Sequence, residues 1–462
     1  MRRFTTAALL LVAALPLGAQ RDHAVLTRRL DSLARAWLAT GPSAGASMVV
    51  VQGSDTLLLE GIGERDHEHG LPATSATVYR IGSITKQFTS AAIMQLVEQG
   101  RIKLDDSMTK YLPEYPQWRT VTMRHLLNHT SGIHSYTSVR EWATRWNDDL
   151  SPTQIVEFVA RDTFDFAPGT QYRYNNTGYV LLGMVLDKVT GTAYPEYMHT
   201  HFFVPLGMQS AAYCPSVPTN TNDARGYDRG KAEITSSKYL SMTHPYSAGA
   251  LCMSVVDYLR WQTALTSGRV VTPASYAMML TSDTVTGGKR TGYGFGLAPG
   301  QLGAHRMTQH GGGVNGFNTQ EIWFPDDSLR VAVFSNTVGS NPGQLATILA
   351  SSVLGEPLPA AVAAAKATDL PVAARARYEG VYDLKLPGGQ SLPVHIVAEP
   401  VGLTSQAEGP GQGKFVLSYL GDDTFGTAFD PSLRLTVLFE NGRATRLRLQ
   451  QGGGTIEGLR RP

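Results

Sequence analysis

The spacing of apolar positions changes period several times along the chain, and the changes divide it. From Asp22 to Thr40, Leu26, Leu30, Leu33 and Trp37 recur at three- and four-residue intervals, which predicts an amphipathic helix. The stretch "ASMVVVQGSDTLLLEGIG" is two β-rich runs joined by a Gly-Ser-Asp turn, hence a hairpin. In "YRIGSITKQFTSAAIMQLVEQG" the helical period returns: Phe88, Ala92, Ile93, Leu96 and Val97 make one stripe, and Gly100 closes it. Helix signals such as "MRHLLNH" and "TGYVLLGMVLDKVTG" fill the middle. The β-rich runs "GYGFGL", "FNTQEIWF" and "LRVAVFSNT" follow, then a helix from Gln344 to Leu354. Strands at both ends with helices between predict an α+β fold: an antiparallel sheet flanked by helices, with an inserted helical lobe.

Between Gly355 and Ala376 the chain becomes Ala- and Pro-rich, as a linker would. From Arg377 to Pro462 the pattern is short alternating strands split by Gly and Pro turns. "LRLTVLF" and "ATRLRLQ" flank the Asn-Gly turn of "ENGR", and about seven or eight such strands predict a small β-barrel or sandwich. No acid, base and nucleophile group together there.

At the other end, Arg2 and Arg3 precede an apolar run from Ala7 to Leu17 and the small residues Gly18 and Ala19. Residues 1–20 therefore read as an export signal, and the run is too short for a comfortable membrane span. This implies a periplasmic or secreted protein, with the main folded segment at 21–354. The full chain carries 40 Lys+Arg against 38 Asp+Glu; without Arg2 and Arg3 the formal charge falls from +2 to 0. Such a balance gives no electrostatic reason to expect nucleic acid or an anionic membrane as partner. The two cysteines, Cys214 and Cys252, can form one disulfide in an exported chain; two unpaired buried thiols is the other reading. A metal site and a cofactor fingerprint are not expected.

The candidate chemistry centres on Ser83 and Lys86. Gly82 precedes the serine and an amphipathic helix follows, so the hydroxyl sits at the positive end of the helix dipole. Lys86 lies one turn on, where a desolvated amine loses pKa and can accept a proton. Ser107 and Lys110 repeat the spacing, but they follow Asp105 and Asp106 and have no long helix behind them. Ser43 in "GPSAG" matches a nucleophile-elbow pattern with a helix before it and a strand after, the reverse of what an elbow needs. His67 and His69 in "DHEH" could begin a metal site, yet no further His or Asp completes the set.

Downstream, Tyr174-Asn175-Asn176 forms a turn ahead of an apolar helix starting near Gly178. A tyrosine beside a cationic lysine can ionise below its usual pKa of about 10 and act as a base. Asn176 can bind a substrate amide or hold Lys86. In "HGGGVNGFNTQEIWF", glycines beside a strand allow close backbone approach and a second oxyanion donor.

In this order, Ser83-x-x-Lys86, Tyr174-x-Asn176 and His310-x-Gly312 resemble the serine β-lactamase and penicillin-recognising hydrolase family. That family includes class C β-lactamases, D-alanyl-D-alanine carboxypeptidases, D-aminopeptidases and related esterases. "RHLLNHTSGI", "APGTQYRYNNTGYVLLG", "PLGM" and "GALCMSVVDYLRW" extend the resemblance over about residues 24 to 354. It implies an acylated Ser83 with Lys86 as proton partner, Tyr174 as base and Asn176 on the substrate. His310 to Gly312 would line a strand edge, and the N–H groups of Ser83 and Gly313 would form the oxyanion hole. The substrate would be a β-lactam, a D-amino-acid peptide such as one derived from peptidoglycan, or a carboxylic ester. "YEGVY" and "GDDTF" resemble a lipocalin-like β-domain appended to such hydrolases. Histidine at 310, where many β-lactamases carry lysine, and the lack of a placed deacylating glutamate shift the expectation toward a peptidase or esterase. A catalytically silent receptor on the same fold is the competing reading.

Overall fold

Alternation along the strand Gly45–Gln52 sends Met48 and Val50 to one face and Val49 and Val51 to the other, and all four are buried. The strand therefore lies inside a sandwich, covered on both sides. In the computed structural model, which describes residues 17–39, 43–161, 164–215, 217, 219, 221–230, 233–358, 370–385, 391–399, 402–407, 415–427, 433–451 and 454–461, it is the third of seven strands. The sheet runs Leu71–Pro72, Asp55–Asp66, Gly45–Gln52, Leu329–Ser335, Phe317–Phe324, His305–Val314 and Ala298–Leu302, antiparallel throughout. The N-terminal hairpin thus pairs with strands nearly three hundred residues on, with Met48 opposite Val333 and Val50 opposite Val331.

One face is covered by the first and last helices of this unit. Leu30, Ala34 and Trp37 of Leu17–Leu38 meet Leu345, Leu349 and Ala350 of Pro342–Leu354 over Val331 and Val333. The second helix starts two residues earlier than its apolar period suggests, because Asn341 caps it and Pro342 takes its first turn. The other face packs on the helical lobe, whose centre is the helix Thr85–Glu98. That helix is buried almost all round, more fully than its single apolar stripe implies. Phe88 stacks on Trp261 with ring centroids 3.7 Å apart. Each large apolar side chain buried this way stabilises the fold by roughly 1.5–3 kcal/mol.

The carboxyl-terminal strands close into an eight-stranded barrel, in which Tyr382 of the first strand pairs with Arg460 of the last. Its interior is a separate apolar cluster that includes Tyr382, Ile396, Phe425 and Leu447. Asn441 and Gly442 both take positive φ, as the hairpin turn between Arg434–Glu440 and Arg443–Gln451 requires.

Three expectations change. "GYGFGL" is not a strand: Gly292 and Gly296 take positive φ, and the Gly294 N–H folds back to the Leu297 carbonyl. Cys214 and Cys252 are free, buried thiols and not a disulfide. Cys252 pairs with Ala212, while the Cys214 N–H bonds to the Ala250 carbonyl. The two cysteines are therefore diagonal across the strands, and their thiols lie close enough to interact without being bonded. The first helix already includes Leu17, where the described residues begin, ahead of the boundary expected at Asp22. Most of the expected export signal (residues 1–16) and half of the linker (residues 359–369) lie outside the described residues. Among the described residues no helix is long and apolar enough to cross a membrane.

Candidate active site

Ser83 sits in a single 3-10 turn, Gly82–Ile84, that runs directly into the helix carrying Lys86. The turn is held from three sides. The Ile81 N–H bonds to the Leu251 carbonyl at 3.0 Å, and the Thr319 hydroxyl donates to the Ile81 carbonyl at 2.9 Å. On the third side Gly82, at φ +51°, lies so close to the strand His305–Val314 that a Cβ would come within 2.7 Å of the Gly313 nitrogen. A side chain is thus excluded at Gly82 by both conformation and space. The same contact brings the backbone of Ser83 beside that of Gly313, the pair of N–H groups expected to face an oxyanion.

Lys86 is fully buried. Its Nζ lies 3.2 Å from Ser83 Oγ, 2.8 Å from Asn176 Oδ1 and 2.8 Å from the Ala248 carbonyl. The ring centroids of Tyr174 and Tyr179 stand 4.8 and 5.3 Å from it. Burial, with no carboxylate partner to offset it, holds the amine well below its ordinary pKa of 10.5.

Tyr174 departs from expectation. Burial pushes its phenol up, not down, and the nearby Ser83 hydroxyl offsets only part of this. The phenol oxygen is inaccessible and lies near the Ser83 hydroxyl without a well-formed hydrogen bond to any of the described residues. Burial thus favours the protonated phenol at Tyr174 and the neutral amine at Lys86, the reverse of a tyrosinate beside an ammonium.

Asn175, the middle residue of Tyr-Asn-Asn, caps the helix Asn176–Thr190: its side chain accepts from the Gly178 N–H at 2.7 Å and donates to the Ile133 carbonyl. Asn176 holds Lys86 through its oxygen and reaches Thr137 through its amide nitrogen at 3.3 Å.

The strand residues divide. Gly313 lines the cleft over Ser83, whereas Gly312 packs against the Ile81 carbonyl and the Thr319 hydroxyl. His310 is 7% exposed, and both its nitrogens are engaged: Nε2 lies 2.7 Å from the Tyr293 hydroxyl and Nδ1 2.6 Å from the Gly311 carbonyl. A carbonyl accepts only, so Nδ1 carries the proton and Nε2 accepts from Tyr293. Burial and the Lys86 site lower its pKa to about 4. It presents no charge at neutral pH. The strand Ala298–Leu302 covers its neighbour only as far as Gln309, so from His310 to Val314 that outer edge has no strand partner among the described residues.

The cleft is small, about 120 Å³, and its lining, which includes Ser83, Tyr136, Asn176, Pro245, Gly313 and Asn315, bears no charged side chain.

His129 was not singled out by sequence. It is buried at φ +61° and brackets Tyr174 from both sides: Arg173 N–H donates to its carbonyl at 3.0 Å, and Asn175 N–H to its Nδ1 at 3.1 Å. Its ring lies 4.3 Å from the Tyr174 ring, centroid to centroid. Because Nδ1 accepts, the imidazole is neutral, and burial and Lys86 hold it so. The signal was present in "NHTSGI", but nothing local to it reveals a partner over forty residues away.

The other candidates stay apart. Ser107 caps a short turn and Lys110 pairs with Asp106 at 2.9 Å. Ser43 precedes the strand Gly45–Gln52. His67 pairs with Glu64, and His69 with Asp66, which also holds Arg225.

Comparison with known proteins adds to this geometry. The sequence model of the Beta-lactamase family matches residues 30–353. The chain is 28% identical over 292 residues to a putative penicillin-binding protein PbpX of Bacillus subtilis, covering 63% of this chain and 70% of that protein. It is 26% identical over 333 residues to a D-aminopeptidase of Gluconobacter oxydans, 71% of this chain and 62% of the relative, so less than two thirds of that relative is spanned. Among solved structures, the octameric penicillin-binding protein homologue from Pyrococcus abyssi superposes with a TM-score of 0.66 and 26% identity, over 93% of this chain and 99% of that one.

Proposed function

The chain belongs to the beta-lactamase family, and from that premise we propose that it hydrolyses an amide or ester bond through an acyl-enzyme on Ser83. The observation that carries this reading is the set of partners around Lys86. A neutral amine has two N–H bonds and one lone pair. The Ala248 carbonyl and Asn176 Oδ1 can only accept, so they take both hydrogens, and the lone pair is left facing Ser83 Oγ. The Ser83 proton then moves to Lys86 as Oγ bonds to the substrate carbonyl carbon. The oxyanion is met by the N–H groups of Ser83 and Gly313. Lys86, now an ammonium, returns the proton to the leaving nitrogen or oxygen, with the Tyr174 phenol as relay, and the C–N or C–O bond breaks. Water repeats the sequence in reverse roles and frees the acid and Ser83.

The neutral His310 supports a peptidase, amidase or esterase over an efficient β-lactamase, since position 310 offers no cation to a β-lactam carboxylate. Similarity to a D-aminopeptidase supports a D-amino-acid amide or short peptide as substrate. Arg2, Arg3 and the apolar run after them support export, and residues 377–462 form an appended β-domain.

The test is a fluorophosphonate probe followed by intact mass and peptide mapping. A single adduct on Ser83, absent from Ser83→Ala, is expected. An adduct on another serine would overturn the assignment; no adduct would favour a silent receptor.

A further inference from the structure

The 120 Å³ cleft over Ser83 is walled largely by apolar groups: Tyr136, Trp142, Leu240, Pro245 and Val314 all line it. The two aromatic rings meet edge to face, with centroids 5.4 Å apart. Both have a polar atom that could serve a substrate, and both spend it on the same residue. The Trp142 indole N–H donates to His244 Nδ1 at 2.8 Å, and the Tyr136 hydroxyl donates to the His244 carbonyl at 2.8 Å. What Trp142 and Tyr136 offer the cleft is therefore apolar ring surface.

His244 is suited to this task. Its Nε2 lies 2.6 Å from the Asp148 carbonyl, which only accepts, so Nε2 carries the proton and Nδ1 is left to accept from the indole. The ring is buried, and it bridges the segment carrying Trp142 to the segment that follows Leu240. The Ser241 N–H, which donates to the Trp146 carbonyl at 2.8 Å, makes a second tie between the same two segments. Four residues after His244, the Ala248 carbonyl holds Lys86. One stretch of chain thus fixes the base and braces the wall facing the nucleophile.

We infer that Trp142, held in place by His244, is the specificity-determining wall of an acyl pocket that takes a short apolar side chain on the acyl unit. This rests on the serine-hydrolase reading. The acyl carbon is the atom that bonds to Ser83 Oγ, so the walls around Ser83 meet the acyl side of the substrate. A branched or flat hydrocarbon group buries its surface there, whereas a polar one loses water and gains no partner from the two rings. A long chain meets the indole. Trp142 touches substrate, and His244 is a positioning residue that acts through it.

The test uses p-nitrophenyl esters, so that only the acyl group varies. The parent is expected to favour butyrate over its isosteric ether, methoxyacetate, by about fivefold in kcat/KM, each scaled by that ester's own hydroxide rate. Isovalerate should exceed octanoate by about tenfold, and Trp142→Ala should remove most of that preference. Trp142→Phe keeps a ring but no N–H, and should give an intermediate ratio; a cooperative thermal transition checks that each variant is folded. His244→Gln should lower the isovalerate-to-octanoate ratio about threefold in the parent and leave it unmoved in Trp142→Phe, where no indole N–H remains to be held. A His244→Gln effect of equal size in both backgrounds overturns its positioning role. Equal scaled rates for butyrate and methoxyacetate, or a ratio unchanged in both Trp142 variants, overturn the acyl wall and leave the hydrolase reading standing. Failure of the parent to hydrolyse any of the esters overturns the hydrolase reading and the wall with it.

Discussion

Two places in this molecule carry a serine three residues before a lysine, and they behave as opposites. At Ser83 the lysine is buried, has no carboxylate beside it, and is fixed by one carbonyl and one amide oxygen. At Ser107 the lysine is exposed and paired with Asp106, which raises its pKa. The serine there accepts from the Thr109 N–H and donates to the Arg119 carbonyl at 2.8 Å, so its hydroxyl is spent on local structure. The same spacing yields a base in one case and a solvated cation in the other. Desolvation and the acceptor set decide the chemistry, and spacing alone decides little.

Substitutions can break this contrast, and the largest effect belongs to the nucleophiles. Ser83→Ala should lower kcat/KM for an activated ester by on the order of 10⁴-fold or more, while Ser107→Ala stays within about threefold. Comparable losses at both would end the comparison.

Next come the lysines. Lys86→Met should slow acylation by about 10²–10⁴-fold, with Lys110→Met close to the parent. The pH dependence follows from the same shift. Lys86 must be neutral to accept a proton, and its pKa is depressed, so acylation should rise with pH through that depressed value and be lost below it. A rate that climbs only near the ordinary lysine pKa of 10.5 would contradict a buried neutral amine.

A smaller effect concerns His129, which acts through Tyr174. His129→Gln should cost about tenfold in kcat with KM nearly unchanged. In a Tyr174→Phe background the same change should cost little more, because the group it positions is gone. Additive losses would make His129 a stability residue only.

The smallest effect is on stability. Glu321 is buried between Gln87 and Gln262, and burial lifts its carboxyl from 4.5 to about 8. Its raised folded-state pKa means that the stability it contributes is full below pH about 4.5 and is lost as pH rises toward about 8. Relative to Glu321→Gln, the parent should therefore lose stability across that window by at most about 1.4 kcal/mol per pH unit. A flat difference in urea midpoints over the window would show that the group is not perturbed.

Local signals carried much of the site. Gly82, Ser83 and Lys86 fall within one turn, and Tyr174 and Asn176 sit at a helix start, so their spacing could be read directly. What could not be read came from distant backbone or from packing. The Ala248 carbonyl that fixes Lys86 has no side-chain signature, and the direction of the Tyr174 shift depends on burial that only the assembled lobe creates. His310 looked like a strand-edge binder until Tyr293 and the Gly311 carbonyl took both nitrogens. The fold was legible where one period persisted, as in Gly45–Gln52 and the barrel hairpin at Asn441. It misled in "GYGFGL", where aromatics alternating with glycine imitate a strand while two of those glycines turn the chain.

The most direct measurement is a side-chain NMR titration of ¹⁵N-lysine-labelled protein, with the Lys86 signal assigned by its loss in Lys86→Arg. The account predicts that Lys86 titrates well below 10.5 and is neutral at the pH where the enzyme works, while Lys110 stays protonated through the range. A Lys86 signal that remains an ammonium up to the ordinary lysine pKa would contradict the account at its centre, because no lone pair would then face Ser83.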